Sequence, residues 1–463
     1  MADVVVVGGG MCGLAAAFNL VRLGVRNLRV LDRSEPGREG PWVTYARMET
    51  LRSPKGLTGP ASGLGALTFR AWYEARRGRA AWEALGRIPR PEWMTYLRWY
   101  RRVLALPVEN GVEVASVSPP GDARGLLRLA LRHHVRGGAA AREETLLARK
   151  VVLATGRAGL GRPSVPGFAW ALPRHLWAHS SEAIDFDALR GRRVVVVGAG
   201  ASAMDNAAEA AERGAAEVRL LVRRAEMPRV NHLMAVGGPG FTAGFPRLDD
   251  AWRWRFMRFA AQAATPAPRG STLRLTRQPN AHVHLGSGVR SAEAEGDALR
   301  VETARGRVLR ADFLIAATGF EVDARAVPAI ADFAGEIETW ADRYTPPPDL
   351  ADPALARSPY LAPSFAFRER VPGRAPFLAD VHCFNHAAAL SLGKVSGDIP
   401  GVSEGAAWLA EAIAGELFAR DVDQHWRKMT EHATPELLGD EWCDAEAADA
   451  LAGGSVAPSA EAA

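Results

Sequence analysis

The sequence is poor in cysteine, and the cysteines that it has are far apart. Only three occur among 463 residues, namely Cys12, Cys383 and Cys443. No two of them form a Cys-x-x-Cys pair, so the sequence excludes a redox dithiol of local spacing and the usual kind of zinc site. Such a low cysteine content is typical of a protein that works in a reducing compartment.

Long apolar runs and clusters of one charge are also missing. No run reaches the roughly 18 apolar residues that a membrane span needs, and the chain opens without the basic region and cleavage site of a signal peptide. We therefore expect a cytoplasmic protein that does not bind membranes. Lys and Arg total 57 against 52 acidic residues, a net charge of +5. Because these basic residues are scattered, we expect no nucleic-acid partner.

The most informative stretch that is present runs from Val4 to Gly13. Four consecutive valines predict a strand buried on both faces. The glycines at 8, 10 and 13 then form Gly-x-Gly-x-x-Gly, and a helical pattern follows. Gly8 allows a sharp turn, Gly10 allows backbone to approach a pyrophosphate, and Gly13 allows the helix to pack closely on the strand. This order of strand, turn and helix predicts a dinucleotide site.

A second predicted strand, Leu28 to Leu31, ends at Asp32. The distance from the glycines is about 20 residues, which is where an acidic side chain accepts hydrogen bonds from an adenosine ribose. Arg33 follows directly and is a further candidate contact. An acid here suits a nucleotide with free ribose hydroxyls, such as FAD or NAD.

The same plan is repeated from Arg193 onward. A run of valines leads into Gly198, Gly200 and Ala203, and the pattern allows alanine in the third position. Ser202 lies in this turn. The following strand ends in Arg223 and Arg224, with no acid, and two guanidiniums suit a 2′-phosphate. We therefore assign FAD to the first repeat and NADPH to the second. The alternative is that both arginines are solvated surface residues that bind no phosphate.

Two further buried strands end in Ala-Thr-Gly, at Thr155-Gly156 and Thr318-Gly319. Between the repeats, Phe69 to Leu106 is predicted to be helical. Strands are predicted over 112–117, 126–135 and 144–149. The segment 225–280 breaks the pattern and is predicted to be an insertion with one amphipathic helix, which includes Trp252 to Phe259.

These features resemble the two-dinucleotide-binding-domain flavoproteins, and within them the class B flavin monooxygenases. That group includes flavin-containing monooxygenases, Baeyer–Villiger enzymes and amine N-hydroxylases. Gly40-Pro41-Trp42 falls where the family has Gly-Gly-x-Trp beside the flavin. Leu51 to Lys55 resembles a Leu-Arg-(Asn/Asp)-Pro stretch of the amine N-hydroxylases, and Gly397-Asp398 resembles the pair that contacts the flavin ribityl chain.

One family motif is only partly present. The group usually shows Phe-x-Gly-x-x-x-His before the second fingerprint. Here Pro173 and His175 replace the Phe and Gly, whereas His179 matches the final histidine. The motif therefore does not single out the Baeyer–Villiger branch or the sulfur- and nitrogen-oxidising branch.

The resemblance implies an α/β fold of two Rossmann-like domains, with the NADP domain inserted into the FAD domain. The implied divisions are 1–165 for the first part of the FAD domain, 166–310 for the NADP domain with its insertion at about 225–280, and 311–443 for the second part of the FAD domain. The composition of 444–463, which is mostly Ala, Ser, Gly and acidic residues, predicts a disordered tail.

The resemblance also implies a reaction. NADPH reduces FAD, O₂ adds to the reduced flavin to form a C4a-(hydro)peroxide, and this species oxygenates a small-molecule substrate. No nucleophile or metal is required, and no metal site is predicted. The alternative is an FAD-dependent NAD(P)H oxidoreductase that passes electrons to a quinone or protein acceptor. A homo-oligomer is common among the proteins that the chain resembles.

The predicted site residues follow from the fingerprints and the resemblance. Asn385 and His386, which precede Gly397-Asp398, are the candidate catalytic pair on the reactive side of the flavin, with a buried, hydrogen-bonded loop pair as the alternative. The remaining residues are predicted to bind the cofactors: Gly8, Gly10, Gly13, Asp32, Arg33, Trp42, Ser53, Val117, Thr155, Gly156, Asp398, Gly198, Gly200, Ser202, Arg223, Arg224, Thr318 and Gly319.

Overall fold

The computed structural model of the chain describes residues 1–121, 125–134, 142–442 and 444–446. The strands are β1 (Ala2–Val7), β2 (Leu28–Asp32), β3 (Val108–Asn110), β4 (Val112–Ser118), β5 (Leu127–His133), β6 (Arg142–Leu153), β7 (Gly161–Pro163), β8 (Trp177–His179), β9 (Arg193–Val197), β10 (Glu217–Leu221), β11 (Ala281–His284), β12 (Val289–Glu295), β13 (Ala298–Thr303), β14 (Val308–Ala311), β15 (Phe313–Ala316), β16 (Phe320–Val322) and β17 (Val381–His382).

The α-helices connect these strands and cover their faces. They are α1 (Met11–Arg22), α2 (Phe69–Arg77), α3 (Arg79–Ala84), α4 (Arg90–Val103), α5 (Gly167–Trp170), α6 (Ala201–Glu212), α7 (Pro239–Gly244), α8 (Asp250–Ala263), α9 (Arg269–Thr276), α10 (Trp340–Arg343), α11 (Pro353–Ala356), α12 (Ala389–Leu392), α13 (Val402–Arg420) and α14 (Val422–Thr430).

The first sheet is organised around β1. Its strand order is β3-β2-β1-β6-β5-β4, and β17 also pairs with β6. β1 is parallel to β2 and β6, so that Val6 lies opposite both Val30 and Val152. All three of these valines are fully buried. A central parallel strand is covered on both faces, which is why the opening run of valines does not alternate with polar residues.

The second sheet repeats this arrangement with β9 at its centre. The order is β11-β10-β9-β15-β8, and every pairing is parallel. Val194 and Val196 are buried against α6 and its neighbours. The two sheets confirm the predicted α/β fold with two Rossmann-like halves.

The chain passes between the two sheets at a short antiparallel pair, β7 with β16. Val322 lies opposite Gly161, and Phe320 lies opposite Pro163. The outgoing and returning segments therefore run side by side, as an inserted domain requires. β15 belongs to the second sheet, so the predicted boundary at residue 311, where the chain returns to the FAD domain, is too early. We propose that the chain returns to the FAD domain after Ala316. The other divisions remain a prediction.

Two predicted segments differ in detail from the structure. The helical region 69–106 is three helices, α2, α3 and α4, because Gly78 adopts a φ of +82° and Pro89 is extended. The insertion contains α7, α8 and α9 rather than one helix, and α8 includes the predicted Trp252 to Phe259. The predicted strand 126–135 is β5, and Val135 lies outside the described residues.

Residues 1–414 form one compact unit and residues 415–463 a second. In the second unit, the rings of Phe418 and His425 stack 4.2 Å apart. Cys443 and residues 447–463 of the predicted tail lie outside the described residues. Among the helices that the structure describes, none is long and apolar enough to cross a membrane.

Candidate active site

The first glycine turn leaves room only at Gly10. Gly8 has a φ of +107°, and a Cβ there would lie 2.5 Å from the carbonyl oxygen of Ala154. A Cβ on Gly13 would lie 1.8 Å from the oxygen of Gly8. At Gly10 the nearest atoms would be 3.9 Å away. The turn is therefore tightly packed against the protein at Gly8 and Gly13, whereas Gly10, directly before the N-terminus of α1, is uncrowded.

Asp32 holds this turn from the end of β2. Its side chain is buried, and its Oδ2 accepts a hydrogen bond from the backbone N–H of Gly9 at 2.7 Å. Oδ1 accepts one from the N–H of Ser34, also at 2.7 Å. Each carboxylate oxygen has a second lone pair, so the carboxylate retains acceptors for ribose hydroxyls.

The second turn has the same geometry. Gly198 has a φ of +148°, and a Cβ there would lie 2.4 Å from the oxygen of Ala317. A Cβ on Gly200 would have nothing within 4 Å. Ala203 is fully buried beside Gly198, so the third position tolerates a methyl group. Gly200 thus opens onto free space at the N-terminus of α6, as Gly10 does at α1. The neighbouring Ser202 is exposed.

Arg223 and Arg224 follow β10, but their environments differ. Arg223 is exposed, and Arg224 is half-buried and donates a hydrogen bond to the carbonyl oxygen of Gln262 at 2.9 Å. The guanidinium of Arg223 is therefore the more accessible cation at the end of the strand.

The two Ala-Thr-Gly strand ends lie directly against the glycine turns through Ala154 and Ala317. Gly156 and Gly319 adopt φ angles of +77° and +81°. The hydroxyl of Thr155 donates to the oxygen of Gly159 at 3.0 Å, and that of Thr318 donates to the oxygen of Ser164. These four residues turn the chain away from each sheet beside the glycine turns.

Asn385 is fully buried, and both the nitrogen and the oxygen of its side-chain amide form hydrogen bonds. Its amide nitrogen donates to the oxygen of Leu153 at 3.0 Å and to the hydroxyl of Thr155 at 3.3 Å. Its amide oxygen accepts from the N–H of Ala387 at 3.1 Å. Both amide protons are used inside the protein, so the geometry favours a residue that positions the strand end over one that contacts substrate.

His386 is half-buried beside the same turn. Its backbone N–H donates to the oxygen of Gly156 at 3.3 Å. Burial, together with the nearby charges of Arg157 and Lys394 and against the opposing effect of Asp398, lowers the pKa of the imidazole to about 4. His386 is therefore neutral near pH 7.

Asp398 connects the C-terminal part of the chain to the first nucleotide site. Its carboxylate lies 3.6 Å from Nη2 of Arg157 and 3.8 Å from Nζ of Lys394. It also acts on Cys12 at the start of α1, where burial first and this carboxylate second raise the pKa of the thiol to about 12. The predicted return of this segment to the first fingerprint is therefore present in the structure.

Four predicted contacts lie at the edges of this region. Trp42 is half-buried, with its ring 6.2 Å from that of Trp93. Arg33 is exposed and Ser53 half-buried. Val117 is fully buried within β4, so only its backbone is available to a ligand.

The sequence did not single out three arginines that the structure brings to this region. Arg157 directly follows Ala-Thr-Gly, and that position was an available signal. Arg90 and Arg274 lie far along the chain in α4 and α9, and hold the loop 42–50 by hydrogen bonds to its carbonyl groups. Nothing in their local sequence indicates this role.

Comparison with known proteins agrees with this geometry. The family described as pyridine nucleotide-disulphide oxidoreductase matches residues 5–235, which include both glycine turns. An FAD-dependent urate hydroxylase from Xanthomonas campestris is 42% identical over 420 residues, which cover 90% of this chain and 86% of that protein.

Solved structures with a similar fold include two ornithine hydroxylases. That of Pseudomonas aeruginosa has a TM-score of 0.71 at 16% identity, over 90% of this chain and 99% of the other. That of Kutzneria sp. 744, solved with reduced FAD, NADP⁺ and L-ornithine, has a TM-score of 0.67 at 18% identity, over 90% and 100%. At such identities these likenesses show the fold.

Proposed function

The chain belongs to the two-dinucleotide-binding-domain flavin monooxygenases, and we propose that it uses NADPH and O₂ to add one oxygen atom to a small molecule. The observation that carries this proposal is the pair of glycine turns, each open to a ligand only at its middle glycine, Gly10 or Gly200. FAD fits the first turn and NADPH the second. The overall balance is substrate, O₂, NADPH and a proton giving hydroxylated substrate, NADP⁺ and water.

The residues divide into two groups by cofactor. At the first site, Gly10 and the start of α1 would hold the FAD pyrophosphate, and Asp32 would accept the ribose hydroxyls. Trp42, Thr155, Gly156 and Asp398 surround the region that the flavin end would occupy. When bound, FAD accepts hydride from NADPH and, once reduced, activates O₂ for transfer to the substrate.

At the second site, Gly200, Ser202 and the start of α6 would hold the NADPH pyrophosphate. Arg223 would pair with the 2′-phosphate, because its exposed guanidinium directly follows the end of the strand, where the position of Asp32 in the first repeat is taken by the uncharged Val222. This difference between the two strand ends supports NADPH over NADH.

The chemistry of the cysteines argues against disulfide reduction, the reaction that the matched family is named for. Cys12 and Cys383 are both buried, and burial raises the pKa of each thiol to about 12. A protonated, buried thiol is a poor nucleophile.

We infer that the substrate is a nitrogen heterocycle of the urate class. The support is the 42% identity over most of both chains to a urate hydroxylase. The amine hydroxylases share only the fold. A polar side chain that stays neutral, such as His386, suits recognition of a heterocycle carrying several N–H and C=O groups.

The test is to load the protein with FAD and follow NADPH oxidation with urate, other purines, ornithine or lysine, or no addition. We expect urate or a related heterocycle to stimulate NADPH oxidation, to consume O₂ in equal amount and to gain one oxygen atom by mass. NADPH oxidation that reduces a quinone or protein acceptor, with no oxygenated product from any of these compounds, would support the electron-transfer alternative.

A further inference from the structure

The loop 42–50 connects the two nucleotide-binding regions. It begins at Trp42, directly after Gly40-Pro41, and α4 holds one side of it. Nε of Arg90 donates to the oxygen of Met48 at 2.8 Å, and Nη1 donates to the oxygen of Trp42. The backbone N–H of Arg90 also donates to the oxygen of Glu49, at 2.9 Å. One arginine of the first domain therefore holds both ends of the loop.

An arginine of the second domain holds the same loop from the other side. In α9, Nη1 of Arg274 donates to the backbone oxygen of Arg47 at 2.8 Å. The rest of its guanidinium is bound to α6, with Nε donating to Glu212 at 2.7 Å and Nη2 donating to Glu209 at 2.8 Å. The side chain of Arg274 is only 10% exposed. The Arg274 guanidinium is thus nearly buried and joins the loop to α6 through separate hydrogen bonds.

Two other contacts strengthen this junction. The guanidinium of Arg47 lies over the ring of Phe186, 5.0 Å from its centroid, and Phe186 packs in the core of the second domain. Asp205 of α6 is also buried, and the charges of both Arg274 and Arg90 act on its carboxylate. The loop therefore lies between Arg90 of the first domain and Arg274 of the second, and Arg274 is itself bound to carboxylates of α6.

We propose that Arg274 is a positioning residue for flavin reduction: it fixes the loop of Trp42 against α6 and thereby sets the placement of NADPH relative to FAD. This inference rests on the proposed function, in which α6 begins at the NADPH site. Charge-assisted hydrogen bonds from a planar, pre-organised guanidinium resist sliding of α6 past the loop. Rates of transfer between bound reactants fall steeply when their placement shifts by about 1 Å.

The test compares Arg274→Gln and Arg274→Lys with Arg213→Gln as the control. Arg213 also pairs with Glu209, at 3.2 Å, but its other partner is Asp187 in the same domain. The control thus removes an equal charge beside Glu209 without removing a hydrogen bond to the loop. In anaerobic stopped-flow with FAD-loaded enzyme, we measure the limiting rate of flavin reduction and the dissociation constant of NADPH.

For Arg274→Gln we expect the limiting rate to fall by about tenfold or more, with FAD content and NADPH affinity close to those of the unaltered enzyme. Arg274→Lys keeps a positive charge beside Glu209 and Glu212 but lacks the branched guanidinium that also donates to Arg47. Its rate of flavin reduction should therefore lie between the rates of Arg274→Gln and the unaltered enzyme. Arg213→Gln should behave like the unaltered enzyme.

A second measurement does not depend on activity. Hydrogen exchange of the amides in residues 42–50 should be faster in Arg274→Gln than in the unaltered protein or Arg213→Gln. An unchanged reduction rate in Arg274→Gln would overturn the proposal. So would a parallel loss of FAD, NADPH affinity and rate, which would show a general structural role. If NADPH fails to reduce even the unaltered enzyme, the proposed function itself is wrong and this inference falls with it.

Discussion

The Oδ2 atom of Asp32 accepts a hydrogen bond from the backbone N–H of Gly9 at 2.7 Å. This bond joins the end of β2 to the glycine turn that follows β1. The carboxylate expected to bind ribose is therefore attached to the turn expected to bind pyrophosphate, and a change at one should alter the other.

Replacing Asp32 should reduce both FAD binding and stability. Asp32→Ala leaves the N–H groups of Gly9 and Ser34 without acceptors, so we expect a loss of about 1–3 kcal/mol in the free energy of unfolding. FAD content per chain should fall well below that of the unaltered protein, as measured by flavin absorbance. Asp187→Ala, which removes an exposed acid at the second domain, is the control. Full FAD content in Asp32→Ala would contradict the assignment.

The two middle glycines should separate the two cofactors. Gly10→Val should give a folded but colourless protein, because the added side chain would occupy the space assigned to the FAD pyrophosphate. Gly200→Val should remain yellow but should not be reduced by NADPH. Both positions have no protein atom within 3.9 Å of a new Cβ, so thermal unfolding should change little. Each variant is the control for the other, and retention of flavin and reduction in both would refute the assignments.

Arg223 should determine the choice of nicotinamide cofactor. Arg223→Gln removes the exposed cation, so NADPH affinity should fall by about 10- to 100-fold, the equivalent of a charge-assisted hydrogen bond. NADH affinity should change little, because NADH has no 2′-phosphate. Arg224→Gln should have a smaller effect, since that guanidinium is already bound to Gln262. Titrations of both cofactors provide the measurement, and an equal effect on NADPH and NADH would contradict the role.

The stability of the protein should depend on pH through His386. Its folded-state pKa, about 4, lies below the ordinary value of 6.5. Between these values the unfolded state binds more protons, so the free energy of unfolding should rise with pH from 4 to 6.5 and then level off. The contribution should be on the order of 1–2 kcal/mol, reduced from the full shift because the ring is only half-buried.

His386→Gln isolates this effect from other titrating groups. Chemical unfolding at several pH values should show a smaller rise for this variant than for the unaltered protein. His425→Gln, in the second compact unit, is the control and should keep the full rise. Identical pH profiles for His386→Gln and the unaltered protein would show that the imidazole is not held neutral by its surroundings.

The sequence predicted the parts of the site that are contiguous in the chain. Each fingerprint is a strand, a turn and a helix in direct succession, so its geometry depends on local backbone requirements such as the positive φ of Gly8 and Gly198. The predicted boundary at which the chain returns from the second domain to the first was less accurate. β15 is a short buried strand, and which sheet it joins depends on its pairing with β9 rather than on its own pattern.

The roles of side chains in tertiary contacts were not predictable in the same way. Asn385 was predicted either to face the flavin or to belong to a buried, hydrogen-bonded loop pair, and in the structure its amide donates to Leu153, 232 positions earlier in the chain. Arg274 had no predicted role, and its bond to Arg47 spans 227 positions. Neither partner can be identified from sequence spacing, since side-chain direction is set by how distant elements pack.

The sequence by itself determined the two strand-turn-helix repeats and the contrast between Asp32 and Arg223 on which the proposed cofactor assignment rests. These features follow from local chain geometry and from charge at a strand end. Only the tertiary structure decided that the amide of Asn385 donates to the strand end at Leu153 and that Arg274 of α9 donates to the loop carbonyl of Arg47. The physical reason is that such contacts are made by packing and by hydrogen bonds between distant segments, which no local pattern encodes.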